Sequence, residues 1–254
     1  MKSIAIVTHC YCPPGVTHYA EHLRWQIASL LRCSVAARVS LFVCKAPLGE
    51  DPATDRVFDW LSDQAVPPNV TIDTIPLALC LLFRRAAGRN IVAKYQQNAD
   101  AVWFTDADYS FGEGCLDAVA ALVDCESSLV IPRAIWINTT HAIGDQMVEA
   151  GRLEEVPKIN PLLFALKRQR IAIGGVQIIG GKVARRIGYL DRTQWVEPVD
   201  AAIGFRSCKC DVAWRRTNGL VAARLDIPNT FRIRHSTAGR DYNLGGDALG
   251  RVVW

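Results

Sequence analysis

The stretch Ala101-Val102-Trp103-Phe104-Thr105-Asp106-Ala107-Asp108 decides how this chain reads. Four consecutive apolar residues predict a buried strand, and that strand delivers two carboxylates one residue apart. In an extended chain alternate side chains point to one side, so Asp106 and Asp108 are expected to share it. Hard cations such as Mg²⁺ and Mn²⁺ take carboxylate oxygens and keep open positions for phosphate, which makes the pair a candidate metal site. A strand end closed by two solvated aspartates is the plain alternative, because composition alone yields roughly one Asp-x-Asp in a chain of this length. The context favours a built site. Turn formers follow in Ser110-Phe111-Gly112-Glu113-Gly114, and Leu116, Val119, Ala120 and Val123 then recur at helical spacing.

Outward from that point, strands and helices alternate. Ser3 to Thr8 predicts a first strand that breaks at Cys12-Pro13-Pro14-Gly15; Tyr19, Leu23, Ile27, Leu30 and Leu31 then mark a helix, and Val39 to Val43 a second strand. Residues 47–69 hold a Pro-rich lead-in, a short helix around 57–61 and a Pro67-Pro68-Asn69 turn before the alternating strand 70–75. A longer helix is expected over about 80–98. Beyond the aspartates, 128–132 predicts a strand, and 133–165 is read as irregular with a helical piece near 145–153. An apolar run follows over 171–179, interrupted by Gly174-Gly175. The order predicts an α/β fold with a mostly parallel sheet, in which ligands bind outside the carboxyl ends of the strands.

Composition sets outer limits. At 254 residues one domain is the default, and a chain half apolar and about a fifth charged is not disordered. No apolar run approaches the ~18 residues of a transmembrane segment. The apolar part of the N-terminus is too short for a signal peptide, so a cytoplasmic protein is expected. Nine cysteines are an odd number, and neither Cys10-x-Cys12 nor Cys208-x-Cys210 has the usual zinc spacing; reduced thiols are expected instead. The net charge of +4 and the scattered Arg pairs fit phosphate chemistry, with no nucleic-acid stripe.

Four further features are candidates. Arg85 and Arg89 lie on one helix face, where a fork of guanidinium donors suits a diphosphate and a solvated basic face fits equally. Gly174-Gly175 would let backbone approach a ligand, or else marks a bend. Trp195-Val196-Glu197-Pro198-Val199-Asp200 offers carboxylates for a general base, or solvated loop acids. A lone His235 follows a strand near the C-terminus, as a metal ligand or a structural histidine.

In this order the residues resemble the GT-A class of nucleotide-sugar glycosyltransferases, most closely the family-two-like branch, over about residues 3–236. The matching positions are Thr8-His9-Cys10-Tyr11, a loop that in the family lies under the nucleotide base, then Arg89-Asn90, Asp106-Ala107-Asp108 and Gly174-Gly175-Val176-Gln177 with the helix up to Asp191. Asp200 follows with Arg206 six residues on, and His235 comes last. The Glu of the family's Glu-Asp pair is Val199 here. The resemblance implies a single GT-A-like domain with a Rossmann-like, mostly parallel sheet flanked by helices. Its nucleotide-binding half would cover about 1–108 and its acceptor half about 109–236, with 237–254 a mobile tail or a disordered one.

What the resemblance implies chemically is a hexosyltransferase-type reaction. A sugar would move from a nucleotide diphosphate donor, UDP-sugar favoured, to an acceptor hydroxyl of unknown identity. Thr8, Tyr11, Arg85, Arg89, Asp106, Gly174 and Gly175 would hold the donor. Asp106, Asp108 and His235 would hold Mn²⁺ or Mg²⁺, and Asp200 would be the inverting base, with Glu197 the fallback. Two other readings compete. Asp106-Ala107-Asp108 also resembles the nucleophile motif of haloacid-dehalogenase-like phosphotransferases, although later metal motifs of that family are missing from the sequence. A non-catalytic nucleotide-sugar-binding protein is the second.

Overall fold

The computed structural model describes residues 1–82, 85–95, 98–122, 129–152, 154–172, 174–190 and 214–234. The first strand, β1 (Ser3–His9), is almost wholly buried and pairs in parallel with β2 (Arg38–Lys45), which pairs in parallel with β3 (Val70–Pro76). Between them run α1 (His18–Arg32), whose Leu23, Ile27 and Leu30 are fully buried against the sheet, and α2 (Pro52–Ser62). The second helix starts five residues before the expected piece. Asp51 caps it by accepting from the Thr54 amide at 3.1 Å, and Pro52 needs no amide partner in the first turn. The long helix expected over 80–98 is described as α3 (Leu79–Leu82) and α4 (Arg85–Tyr95), with residues 83 and 84 outside the described set.

The apolar strand before the two aspartates is β4 (Ala101–Phe104), buried throughout and parallel to β1 on the side away from β2. After it come β5 (Tyr109–Phe111), α5 (Cys115–Ala121), β6 (Leu129–Pro132), β7 (Ala134–Asn138), α6 (His141–Gly151), a 3-10 turn at Pro161–Leu163, and β8 (Phe164–Arg168). The described chain ends with β9 (Gln177–Gly180), α7 (Gly181–Ile187), β10 (Ala222–Leu225) and β11 (Thr230–Arg232). Two sheets result. The larger has the order β10-β6-β9-β4-β1-β2-β3 and is parallel except for β9; the smaller has the order β5-β11-β7-β8. The expected α/β, Rossmann-like, mostly parallel sheet flanked by helices is what the structure shows.

The smaller sheet is a correction. Residues 133–165, expected to be irregular, hold β7, α6 and the start of β8. Thr140 caps α6 by accepting from the Ile143 amide, so the helix begins at His141 rather than 145. Trp103, Phe104 and Ile6 are among the residues closed off completely, each burial being worth about 1.5–3 kcal/mol. The cysteines described with their side chains, Cys10, Cys12, Cys33, Cys44 and Cys115, are free and buried; burial pushes Cys33 up to about 11 and Cys44 and Cys115 up to about 12, which leaves those three thiols protonated. No helix among the described residues is long and apolar enough to cross a membrane.

Candidate functional site

The chain leaves β1 toward β2 and β3 and then returns to place β4 on the other side of β1. A crevice opens at such a reversal, outside the carboxyl ends of the two strands. Thr8 and His9 end one side of it, and Thr105 and Asp106 the other.

Helix α4 packs across this end. Gly88 makes that possible, because a Cβ there would collide with Cys44 Sγ and His9 Nε2. The close approach brings Arg85 and Arg89, four residues apart, onto one carboxylate oxygen. Arg85 Nη1 donates to Asp106 Oδ1 at 2.6 Å and Arg89 Nη2 to the same oxygen at 3.2 Å. Arg89 is fully buried, and burying a guanidinium costs several kcal/mol unless acceptors surround it. They do. Nη2 also donates to the Gly174 carbonyl at 2.9 Å and the Thr105 carbonyl at 3.3 Å, and Nη1 to Tyr189 Oη at 3.1 Å. Tyr189 in turn donates to Gln177 Oε1 and stacks on Trp214, while Asn90 Oδ1 accepts from the Tyr189 amide at 2.9 Å. Arg89 is therefore a buried strut, whereas Arg85, held by Asp106, has its side chain a third exposed.

The Tyr109 amide donates to the Asp106 carbonyl and turns the chain; the Asp106 carboxylate meets α4, the Asp108 carboxylate meets the smaller sheet, and both act on Arg232. There Arg232 Nε donates to Asp108 Oδ2 at 2.9 Å, and the Ile233 amide donates to the Asp108 carbonyl. The Asp108 carboxylate raises the Arg232 pKa. Arg232 was missed in the sequence, where a lone charged residue in a short strand carries no periodic signal.

His9 is a second residue the sequence gave no role. Burial, then the charges of Arg89 and Arg85, hold its imidazole well below the ordinary value of 6.5, against an opposing pull from Asp106. It stays neutral at physiological pH, and neither ring nitrogen has a hydrogen-bond partner among the described residues. Beside it Thr8 is buried with its hydroxyl unpaired among the described residues, and Tyr11 is half-buried just beyond the strand. With His9 neutral, the charged side chains of this cluster among the described residues are two carboxylates and three guanidiniums.

The remaining candidates divide. Gly174 is in the cluster through its carbonyl. Gly175 lets protein approach protein, since a Cβ there would strike the Tyr109 ring, and its carbonyl accepts from Trp103 Nε1. Asp200, Glu197, Arg206, His235 and the tail 237–254 lie outside the described residues. The described residues contain no group of three His, Cys, Asp or Glu side chains placed to hold a metal. Carboxylate oxygens are the donors a hard cation takes, and here a cation would compete with the guanidiniums already on each; Asp106, its side chain a quarter exposed, is more accessible than the buried Asp108.

No family model matches the sequence, and no curated protein matches it. Solved structures with similarity to the chain include glycosyltransferases. Mouse xyloside xylosyltransferase 1, in its apo form, is 10% identical and aligns over 88% of this chain and 85% of its own, with a TM-score of 0.47. Staphylococcus aureus TarS, residues 1–349, is 14% identical over 94% of this chain and 62% of its own, at 0.47. A mannosyltransferase from Pyrobaculum calidifontis, solved with GDP-Man and Mn²⁺, is 15% identical over 98% and 62%, at 0.48. The chain thus spans about three fifths of the length of the last two.

Proposed function

We propose that this chain transfers a sugar from a nucleoside diphosphate donor, a UDP-sugar first among them, to an acceptor hydroxyl. The observation that carries the reading is the convergence of Arg85 and the buried Arg89 on Asp106 at the switch point. Thr8 and Tyr11 lie where the resemblance puts the base, and the unpaired Thr8 hydroxyl and His9 ring offer polar atoms to a nucleotide. Arg85 moves onto the diphosphate while Arg89 holds the crevice open. Asp106 and Asp108, with His235, would hold Mn²⁺ or Mg²⁺, which when bound supplies countercharge for the departing diphosphate. Asp200 takes the proton of the acceptor hydroxyl as its oxygen bonds to the anomeric carbon and the bond to the diphosphate breaks, inverting that carbon. A single domain, divided near residue 108 into donor and acceptor halves, accommodates these roles.

The test begins with binding. Calorimetry with UDP, GDP and ADP, with and without Mn²⁺, is expected to give one preferred nucleotide, and Arg85→Ala should weaken it about tenfold or more, as loss of a charge-assisted contact does. An Arg85→Ala protein with undiminished affinity for every diphosphate refutes the site. Asp200→Asn separates binding from chemistry: transfer should drop ~10²–10⁴-fold with donor affinity unchanged. A variant with wild-type turnover would move the base to Glu197 or elsewhere.

A further inference from the structure

Residues 156–171, Val-Pro-Lys-Ile-Asn-Pro-Leu-Leu-Phe-Ala-Leu-Lys-Arg-Gln-Arg-Ile, carry four Lys or Arg and no Asp or Glu. They build the 3-10 turn and β8, the outer strand of the smaller sheet. Phe164 turns into the core beside Phe231, but its neighbours do not: Leu162 is 90% exposed, Leu166 57% and Ile171 62%. Between these apolar tips stand exposed Lys167, Arg168 and Arg170.

Two more arginines join this edge. Gln169 donates its amide to the Arg133 carbonyl, and Arg224 Nη2 donates to the Arg170 carbonyl at 3.0 Å. Among the described residues the acidic side chain paired there is Asp226, against Arg133. Charge is also polarised along the chain: residues 129–254 hold 19 Lys or Arg against 11 Asp or Glu, whereas residues 1–128 hold 10 against 14. Arg133 and Arg224 lie at the carboxyl ends of β6 and β10, the end of the sheet that bears the Asp106 crevice.

Scattered exposed leucines are ordinary, and lysines on an outer strand commonly deter pairing with another strand. Three large apolar tips interleaved with basic heads that outnumber the single paired acid described there, Asp226, are a different pattern. Arginine and lysine at that spacing meet lipid phosphates while the apolar tips enter the boundary between headgroups and acyl chains. A soluble polyanion would use the basic heads and leave Leu162, Leu166 and Ile171 in water.

We infer that the β8 edge, through Leu162, Leu166, Ile171 and the basic side chains Lys167, Arg168, Arg170, Arg133 and Arg224, docks the protein on an anionic phospholipid surface. Arg133 and Arg224 put part of the docked face at the end of the larger sheet that bears the crevice. Docking itself stands whether or not the chain transfers sugars.

The experiment is co-sedimentation of the full chain with vesicles of phosphatidylcholine alone or with about a third phosphatidylglycerol. Binding is expected only with phosphatidylglycerol and should fade as salt rises. Lys167→Ala/Arg168→Ala/Arg170→Ala should lower affinity by about a hundredfold, taking roughly fivefold for each charge at the surface. Leu162→Ser/Leu166→Ser/Ile171→Ser should lower vesicle binding by at least about tenfold and leave heparin retention unchanged. Both variants change exposed side chains, and unchanged thermal midpoints verify their folding. Three outcomes overturn the proposal: a wild-type chain that ignores anionic vesicles, an apolar variant that binds them as well as wild type does, which would make the edge a polyanion site, or a dimer dissolved by the apolar variant in the absence of vesicle binding.

Discussion

At the scale of single residues, the site depends on side chains whose protonation and pairing are set by one another. His9 is the clearest case. Its pKa is held below 6.5 in the folded protein by burial and by Arg89 and Arg85, with Asp106 opposing, and returns to about 6.5 in the unfolded chain. The unfolded state therefore binds more protons as pH falls below about 6.5, and stability declines in that direction while staying level above it. Urea midpoints measured from pH 8 to pH 5 should show this decline, and His9→Gln should flatten it; a slope unchanged in the variant would assign the effect to other groups. The sequence exposed this cluster unevenly. Arg85 and Arg89 stood out because helical spacing puts them on one face, and Asp106 because an apolar strand ends before it. His9 and Arg232 did not, because the meaning of an isolated charged or polar residue comes from partners distant in the chain: Arg232 meets a carboxylate 124 positions away.

Elements meet here at glycines, and two of these contacts decide the sign of a substitution. Gly88 lies inside α4, where alanine would gain up to about 1 kcal/mol of helix propensity. Its Cβ would strike Cys44 Sγ and His9 Nε2, and overpacking of a close contact costs about 1–3 kcal/mol, so Gly88→Ala is expected to destabilise on balance. Gly144 in α6 is the harsher case. A Cβ there would run into the backbone carbonyl of Arg234, which is already fixed by Asn138 Nδ2, and backbone cannot rotate aside as a side chain can. Denaturant melts should rank Gly144→Ala below Gly88→Ala and both below wild type. A stabilised Gly88→Ala would mean that Cys44 and His9 yield more easily than their packing indicates. The same contacts explain what was illegible in residues 133–165. Neither β7 nor β8 has strict alternation, since Trp136 and Leu166 stand opposite each other at the margin of the core, and the strands exist through pairing, β7 with β11 and β8 with β7, rather than through local pattern. The larger sheet was readable because its central strands are continuous apolar runs.

Over the whole molecule, the candidate site is also the seam between the two sheets. Asp106 and Asp108 occupy the turn from β4 in the larger sheet to β5 in the smaller, Arg232 reaches back from β11, and Gly174 comes from the connection between β8 and β9. A diphosphate bound there would touch groups supplied by both sheets, so its binding energy should appear as stability of the whole fold and not of one half. At a concentration of 100 times Kd, mass action contributes about 2.7 kcal/mol. For a chain of this size each kcal/mol raises the thermal midpoint by about 2–4 °C, which gives a rise of about 5–10 °C in a single transition. Hydrogen exchange should slow in β4 and in β11 together. Asp106→Asn removes the negative charge that organises Arg85 and Arg89 and is expected to shrink the rise by more than half in the presence of Mn²⁺. Protection confined to β1 and β4, with β11 exchanging as in the unliganded protein, would show that the nucleotide engages the larger sheet alone and that the Asp108–Arg232 pair is purely structural.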